Sequence, residues 1–152
     1  MTGLVVPLLV VASSLLTQEF DTATGAPFAL ESALARGPVV MVFWNSWLPE
    51  AAASVAVIHE IERSVEEHGW SGAIVVFQDE SPAAGAALGA PGSGLPKVLD
   101  RRGVLLRRFQ VTRAPALLLI DRGGQVLSRT GLEPDQVRAA LRSLSERPPA
   151  SR

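Results

Sequence analysis

Chemistry in this chain would have to start at VFWNSWLPEA, positions 42–51, where an apolar run turns a corner into a helix-like pattern. The corner carries one hydroxyl, Ser46, between Trp44 and Trp47, and no histidine or cysteine. A serine nucleophile needs a base within hydrogen-bond reach, and sequence supplies none beside it. Cysteine is absent throughout, which removes disulfides, thiol nucleophiles, iron–sulfur clusters and thiolate zinc sites together, and leaves the redox compartment unreadable. Two histidines, His59 and His68, are too few for a multi-histidine metal cage. Gly123-Gly124 reads as a hairpin turn and 91–94 as a loop, and neither resembles a phosphate-cradling motif with its lysine and Ser/Thr. No cofactor is therefore expected.

The remaining ionisable groups read as solvated. His59 falls on the charged side of a helical pattern and His68 at its end, where a helix dipole favours a cation. Asp79-Glu80 closes an apolar run. Arg101, Arg102, Arg107, Arg108 and Arg113 form the densest basic segment. An acidic partner or an anionic lipid surface is one reading of it; a solvated helix face and turn is the favoured one.

The elements that would position the corner follow from periodicity. The run at 38–43 is continuously apolar, as in a strand covered on both faces. Residues 49–68 have helical spacing, with Val55, Ile58, Ile61 and Val65 on one stripe, Pro49 in the first turn and Gly69 as the stop. A second buried strand spans 73–77. A weak helix at 82–88 leads to a loop, 98–99 is ambiguous, and 104–109 reads as a short helix. A third strand at 115–120 turns through 121–124 into a hairpin strand at 125–129. The last helix starts near Pro134, with Val137, Ala140, Leu141 and Leu144 as its apolar stripe and Glu133 and Asp135 in its first turn. The order β-α-β-(α)-β-β-α, with parallel strands joined through a helix, gives an α/β fold: a mixed central sheet with helices on both faces.

A chain of 152 residues, 47% apolar, can bury a proper core in one domain. Its formal net charge of −1 argues against a general nucleic-acid binder. Residues 1–16 are apolar and uncharged, readable as a folded strand or as a signal or anchor segment. They lack a basic leader, contain Pro7, and fall short of the ~20 residues that span a bilayer. The expected organisation is an N-terminal extension at 1–19, a domain at 20–145 and a polar tail at 146–152. Membrane association is possible only through the N-terminus. The compartment, cytoplasmic or periplasmic, is left open, as is the oligomeric state.

Four stretches carry a resemblance: GPVVMVFW at 37–44, NSWLPEA at 45–51, FQVTRAP at 109–115 and LLIDRGG at 118–124. Together they resemble the thioredoxin-like superfamily, most closely the thiol–disulfide reductases of the TlpA/ResA and redoxin type. Those proteins read FW-x-x-W-C-P-x-C at the corner and V-x-x-x-P later. The likeness implies a thioredoxin-like fold and a cis peptide bond between Ala114 and Pro115. Leu48 and Ala51 stand where the two cysteines would be. Dithiol exchange needs a thiolate to attack and a second thiol to resolve, so that activity is not expected.

What the resemblance leaves is a recognition surface: Trp44, Ser46, Trp47, Leu48, Pro49, Ala51, Arg113, Ala114 and Pro115, with Trp47 partly exposed. A protein or extended peptide at a Trp47/Pro115 groove is the expected partner of a non-catalytic, accessory module. The alternative is an enzyme using non-thiol chemistry on this scaffold, favoured only by a hydroxyl–histidine–acid arrangement around Ser46.

Overall fold

A computed structural model describes residues 18–78, 85–90 and 92–148. The readings made at residues 1–16, Asp79-Glu80, 82–84, Pro91 and 149–152 lie outside the described residues.

The chain enters through a short hairpin, β1 (Glu19–Phe20) and β2 (Phe28–Ala29), followed directly by helix α1 (Leu30–Arg36). Strand β3 (Val39–Trp44) leads through the corner into α2 (Ala51–His68), and β4 (Ser71–Phe77) follows. A single 3-10 turn at Ala86–Leu88 precedes β5 (Lys97–Asp100) and the short helix α3 (Val104–Arg108). The hairpin β6 (Ala116–Ile120) and β7 (Val126–Thr130) then delivers the chain to α4 (Pro134–Ser145). The five long strands form one sheet in the order β5-β4-β3-β6-β7. β3 pairs parallel with β4, and β4 with β5; β6 is antiparallel to both β3 and β7. This is the thioredoxin-like α/β fold.

Period-two alternation divides the core. Val40, Val42 and Trp44 of β3, Ile74 and Val76 of β4, and Leu117 and Leu119 of β6 face α2 and α4. Val39, Met41 and Phe43, with Ala73, Val75, Phe77, Leu118 and Ile120, face α1, α3 and the hairpin. All six β3 residues are buried, which is why that strand reads as an unbroken apolar run.

The elements differ from expectation in four places. The 19–36 region, silent in the sequence, holds a hairpin and a helix, and β5 is a fifth sheet strand where only 98–99 hinted at one. Helix α2 starts at Ala51 with Glu50 as its cap residue, so Pro49 lies ahead of it: the Ala51 amide donates to the Leu48 carbonyl (3.1 Å), forming a tight turn instead of a first helical turn. Its buried stripe is Ala51, Ser54, Val57, Ile58, Ile61 and Val65, with Val55 only half-buried. Glu133 is the cap residue of α4 and not part of its first turn. Gly69 ends α2 as expected, in the left-handed region (φ 66°), with Trp70 N–H returning to the Val65 carbonyl (3.0 Å).

The two sheet edges are treated differently. The outer edge of β5 is covered by the entering chain: Thr22 bridges Val98, Ala23 N–H donates to the Lys97 carbonyl (3.0 Å), and Leu99 N–H donates to the Asp21 carbonyl (2.8 Å). The outer edge of β7 has no strand partner among the described residues.

Candidate functional site

The corner sits at the carboxyl ends of the parallel strands β3 and β4, where open α/β sheets place their sites. Asn45, the first residue past β3, is fully buried and donates through Nδ2 to the Phe77 carbonyl at the end of β4. Leu48 N–H then donates to the Asn45 carbonyl (3.3 Å), and Ala51 N–H to the Leu48 carbonyl. The loop is thus a hydrogen-bonded staircase from the sheet into α2. Asn45 was missed in the sequence reading. A small polar residue between two tryptophans, straight after a fully apolar strand, was the available signal.

The two tryptophans have opposite roles. Trp44 is 1% exposed, so it supports the corner from beneath and offers no recognition surface, contrary to its inclusion among the surface candidates. The parity of β3 decides this, because Trp44 shares a face with Val40 and Val42. Its indole Nε1 donates to Ser54 Oγ (3.0 Å) and lies 3.4 Å from the Ala51 carbonyl, which Ser54 Oγ also contacts at 2.8 Å. Trp47 is 58% exposed and stands edge-on to Phe77, ring centroids 5.6 Å apart at 86°.

Leu48 is half-buried and packs against both halves of the core, closing the end of the sheet, while Ala51 is 6% exposed. Where exchange chemistry needs sulfur, the chain has an apolar plug and a buried methyl. Ser46 is exposed, and its Oγ lies 3.4 Å from Asn45 Oδ1. His59 Nδ1 instead contacts Glu62 Oε1 (2.9 Å) and His68 Nδ1 the Ser64 carbonyl (2.8 Å). The arrangement that would favour a hydrolytic serine is not formed by these partners.

Ala114-Pro115 is a cis peptide bond. The register pairs Phe43 with Ala116, so Pro115 falls opposite Trp44 and Ala114 opposite Asn45. Ala114 packs on the same core half as Leu48, and Arg113 is exposed. Neither the amides nor the carbonyls of Thr112, Arg113 and Ala114 have a main-chain partner among the described residues. The structure therefore brings Trp47, Leu48, Ala114 and Pro115 to one end of the sheet.

The basic segment dissolves into local contacts. Arg101 faces Asp21 (3.7 Å), Arg107 Nη1 donates to the Arg102 carbonyl (2.6 Å), and Arg108 lies over the Phe109 ring. Among the described residues, no cluster of three or more histidine or acidic side chains is placed to hold a metal, and no helix is long and apolar enough to cross a membrane.

Comparison with solved structures agrees with this geometry. The exposed lipoprotein thioredoxin Etrx1 of Streptococcus pneumoniae superposes with a TM-score of 0.67 at 23% identity, over 83% of this chain and 98% of its own. DsbF of Mycobacterium tuberculosis gives 0.69 at 24%, over 86% and 97%. The Xanthomonas campestris bacterioferritin comigratory protein, described for alkyl peroxide reduction, gives 0.68 at 17%, over 88% and 96%. No curated protein matches the sequence significantly. The Redoxin family model matches residues 11–144. With that match spanning most of the chain, the protein belongs to the Redoxin family, as a thioredoxin-fold member without a cysteine.

Proposed function

We propose that this domain is a redox-silent binding module that takes an extended protein segment at its corner. The observation that carries the reading is Trp47, the one large apolar side chain strongly exposed among the described residues. An exposed tryptophan is a costly solvent contact that a partner would relieve, and tryptophan is the commonest type of binding anchor. At the same end of the sheet, the 112–114 segment has main-chain donors and acceptors with no main-chain partner among the described residues, the requirement for adding an extended strand. Leu48 provides an apolar floor, Ser46 and Arg113 exposed polar groups, Pro49 an exposed apolar one, and Trp44 and Ala51 the buried support.

The test is binding to an array of extended peptides by wild type, Trp47→Ala and Trp47→Phe. Loss of Trp47 should weaken the peptides that bind by roughly thirtyfold, the effect of a central anchor, and phenylalanine should restore part of it. Because Trp47 is mostly exposed, its removal should leave the unfolding midpoint nearly unchanged. Peptides that bind Trp47→Ala as well as wild type would remove the corner from the reading.

A further inference from the structure

At the end of the sheet opposite the corner lies an open cleft of about 750 Å³, formed where α1, α2 and α4 end and β6 turns into β7. Strand β3 separates the two places by about 20 Å, from its six residues at ~3.3 Å each. We propose that this cleft binds a small aromatic anion, its ring against the stacked His68 and Trp70 side chains and its carboxylate held by Arg122 and Arg147.

The volume suits such a ligand, since pockets for small molecules run to about 300–1,000 Å³. One wall is aromatic: the rings of His68 and Trp70 stack at 4.2 Å and 10°, and Trp70 is half-buried. Pro38, Leu127 and Leu144 complete an apolar lining. The rim is cationic. Arg36, Arg122 and Arg147 line it against a single carboxylate, Asp121, and none of the three has an ion-pair partner among the described residues. Asp121 is turned into its own hairpin, accepting Gln125 N–H at 2.9 Å. Arg122 is held in place by a bond from Nη2 to the Ala35 carbonyl (3.1 Å), which leaves further guanidinium donors to form a fork.

An opposing effect must be weighed, because three helices point their negative ends here. Each contributes roughly half a charge, so together they cancel part of the three arginines. Their last carbonyls are already engaged: Gly37, Gly69, Trp70, Glu146 and Arg147 all return amides to α1, α2 or α4. Even with Asp121 counted in full, the balance remains positive. Arg36 and His68, in the last turns of α1 and α2, serve the helix ends; Arg122 and Arg147 lie beyond them and are the ligand pair.

The experiment is calorimetric titration of the full chain with 2-naphthoate, and with its neutral analogue 2-naphthylmethanol. Wild type should bind naphthoate saturably, and the alcohol about tenfold more weakly or worse, as loss of charge-assisted bonds requires. Arg122→Ala/Arg147→Ala should weaken naphthoate by a similar factor with an unchanged unfolding midpoint, both side chains being exposed. Trp47→Ala should bind naphthoate as wild type does. The proposal is overturned if naphthoate shows no saturable binding, if the alcohol binds equally well, or if Trp47→Ala loses binding while the arginine variant keeps it.

Discussion

Returning sulfur to the corner, as Leu48→Cys/Ala51→Cys, asks whether the reactive atoms are the only thing the site lacks. Leu48 is half-buried against both core halves, so trading its isobutyl group for a thiol removes about two carbons of partly buried surface, roughly 1 kcal/mol. Ala51 is 6% exposed next to the Trp44 indole, and a sulfur there costs about 1 kcal/mol in overpacking. The reduced double variant should therefore be about 2 kcal/mol less stable than wild type. The two positions are one tight turn apart, linked by the Ala51 N–H to Leu48 carbonyl bond. A disulfide across that four-residue loop returns about 2 kcal/mol in the chain-entropy model. Urea denaturation with and without reductant should show the oxidised form close to wild type and the reduced form below it, with one m-value. Thiol titration should find an intramolecular bond, and insulin reduction should appear in the variant and be absent from wild type. Equal midpoints in both states, or disulfides only between molecules, would refute the claim that the corner geometry is retained.

Substitutions at three further positions probe what holds the fold around the site. Ser54→Ala leaves the buried Trp44 N–H with only the Ala51 carbonyl at 3.4 Å and should cost about 1–2 kcal/mol by urea midpoint. Asp100 is 1% exposed and its carboxylate accepts the amides of Val104, Leu105 and Leu106 at 2.7, 3.0 and 3.2 Å; Asp100→Ala should cost about 3 kcal/mol or more, and Asp100→Asn visibly less. Gln110 occupies the left-handed position (φ 51°) past α3, with Val111 N–H returning to the Leu106 carbonyl at 2.9 Å. Gln110→Gly should raise the thermal midpoint, by roughly 0.5 kcal/mol in stability, and a lower midpoint would count against strain there.

Elements whose apolar residues recur on a clean period were legible in the sequence. The stripe Val137, Ala140, Leu141 and Leu144 is buried as read, and the doubly covered β3 announced itself by having no polar residue. Legibility failed where a polar group is buried by a specific partner. Ser54 is in the core because Trp44 needs an acceptor, whereas a stripe of apolar residues alone runs through Val55. β5 opens with Lys97, whose Nζ donates to the Ala90 and Ser93 carbonyls, and closes with Asp100, so its charges masked a strand. β1 and β2, two residues each, are too short to show any period. At the corner, composition shows that sulfur is missing, and the family resemblance implies a partly exposed Trp47. Which tryptophan was structural depended on counting strand parity, and Asn45 acts through the Phe77 carbonyl, a partner no sequence spacing reveals.

The covered β5 edge bears on how copies of this protein could meet. A strand edge is a template for another strand, and a sheet with two bare edges can recruit copies at both, without limit. Among the described residues, residues 21–23 of this chain occupy one edge, leaving β7 alone. Antiparallel pairing of β7 with its own copy would use the one uncovered edge of the five-stranded sheet among the described residues. Pairing of copies through the described five-stranded sheet would then favour a pair over an open-ended stack.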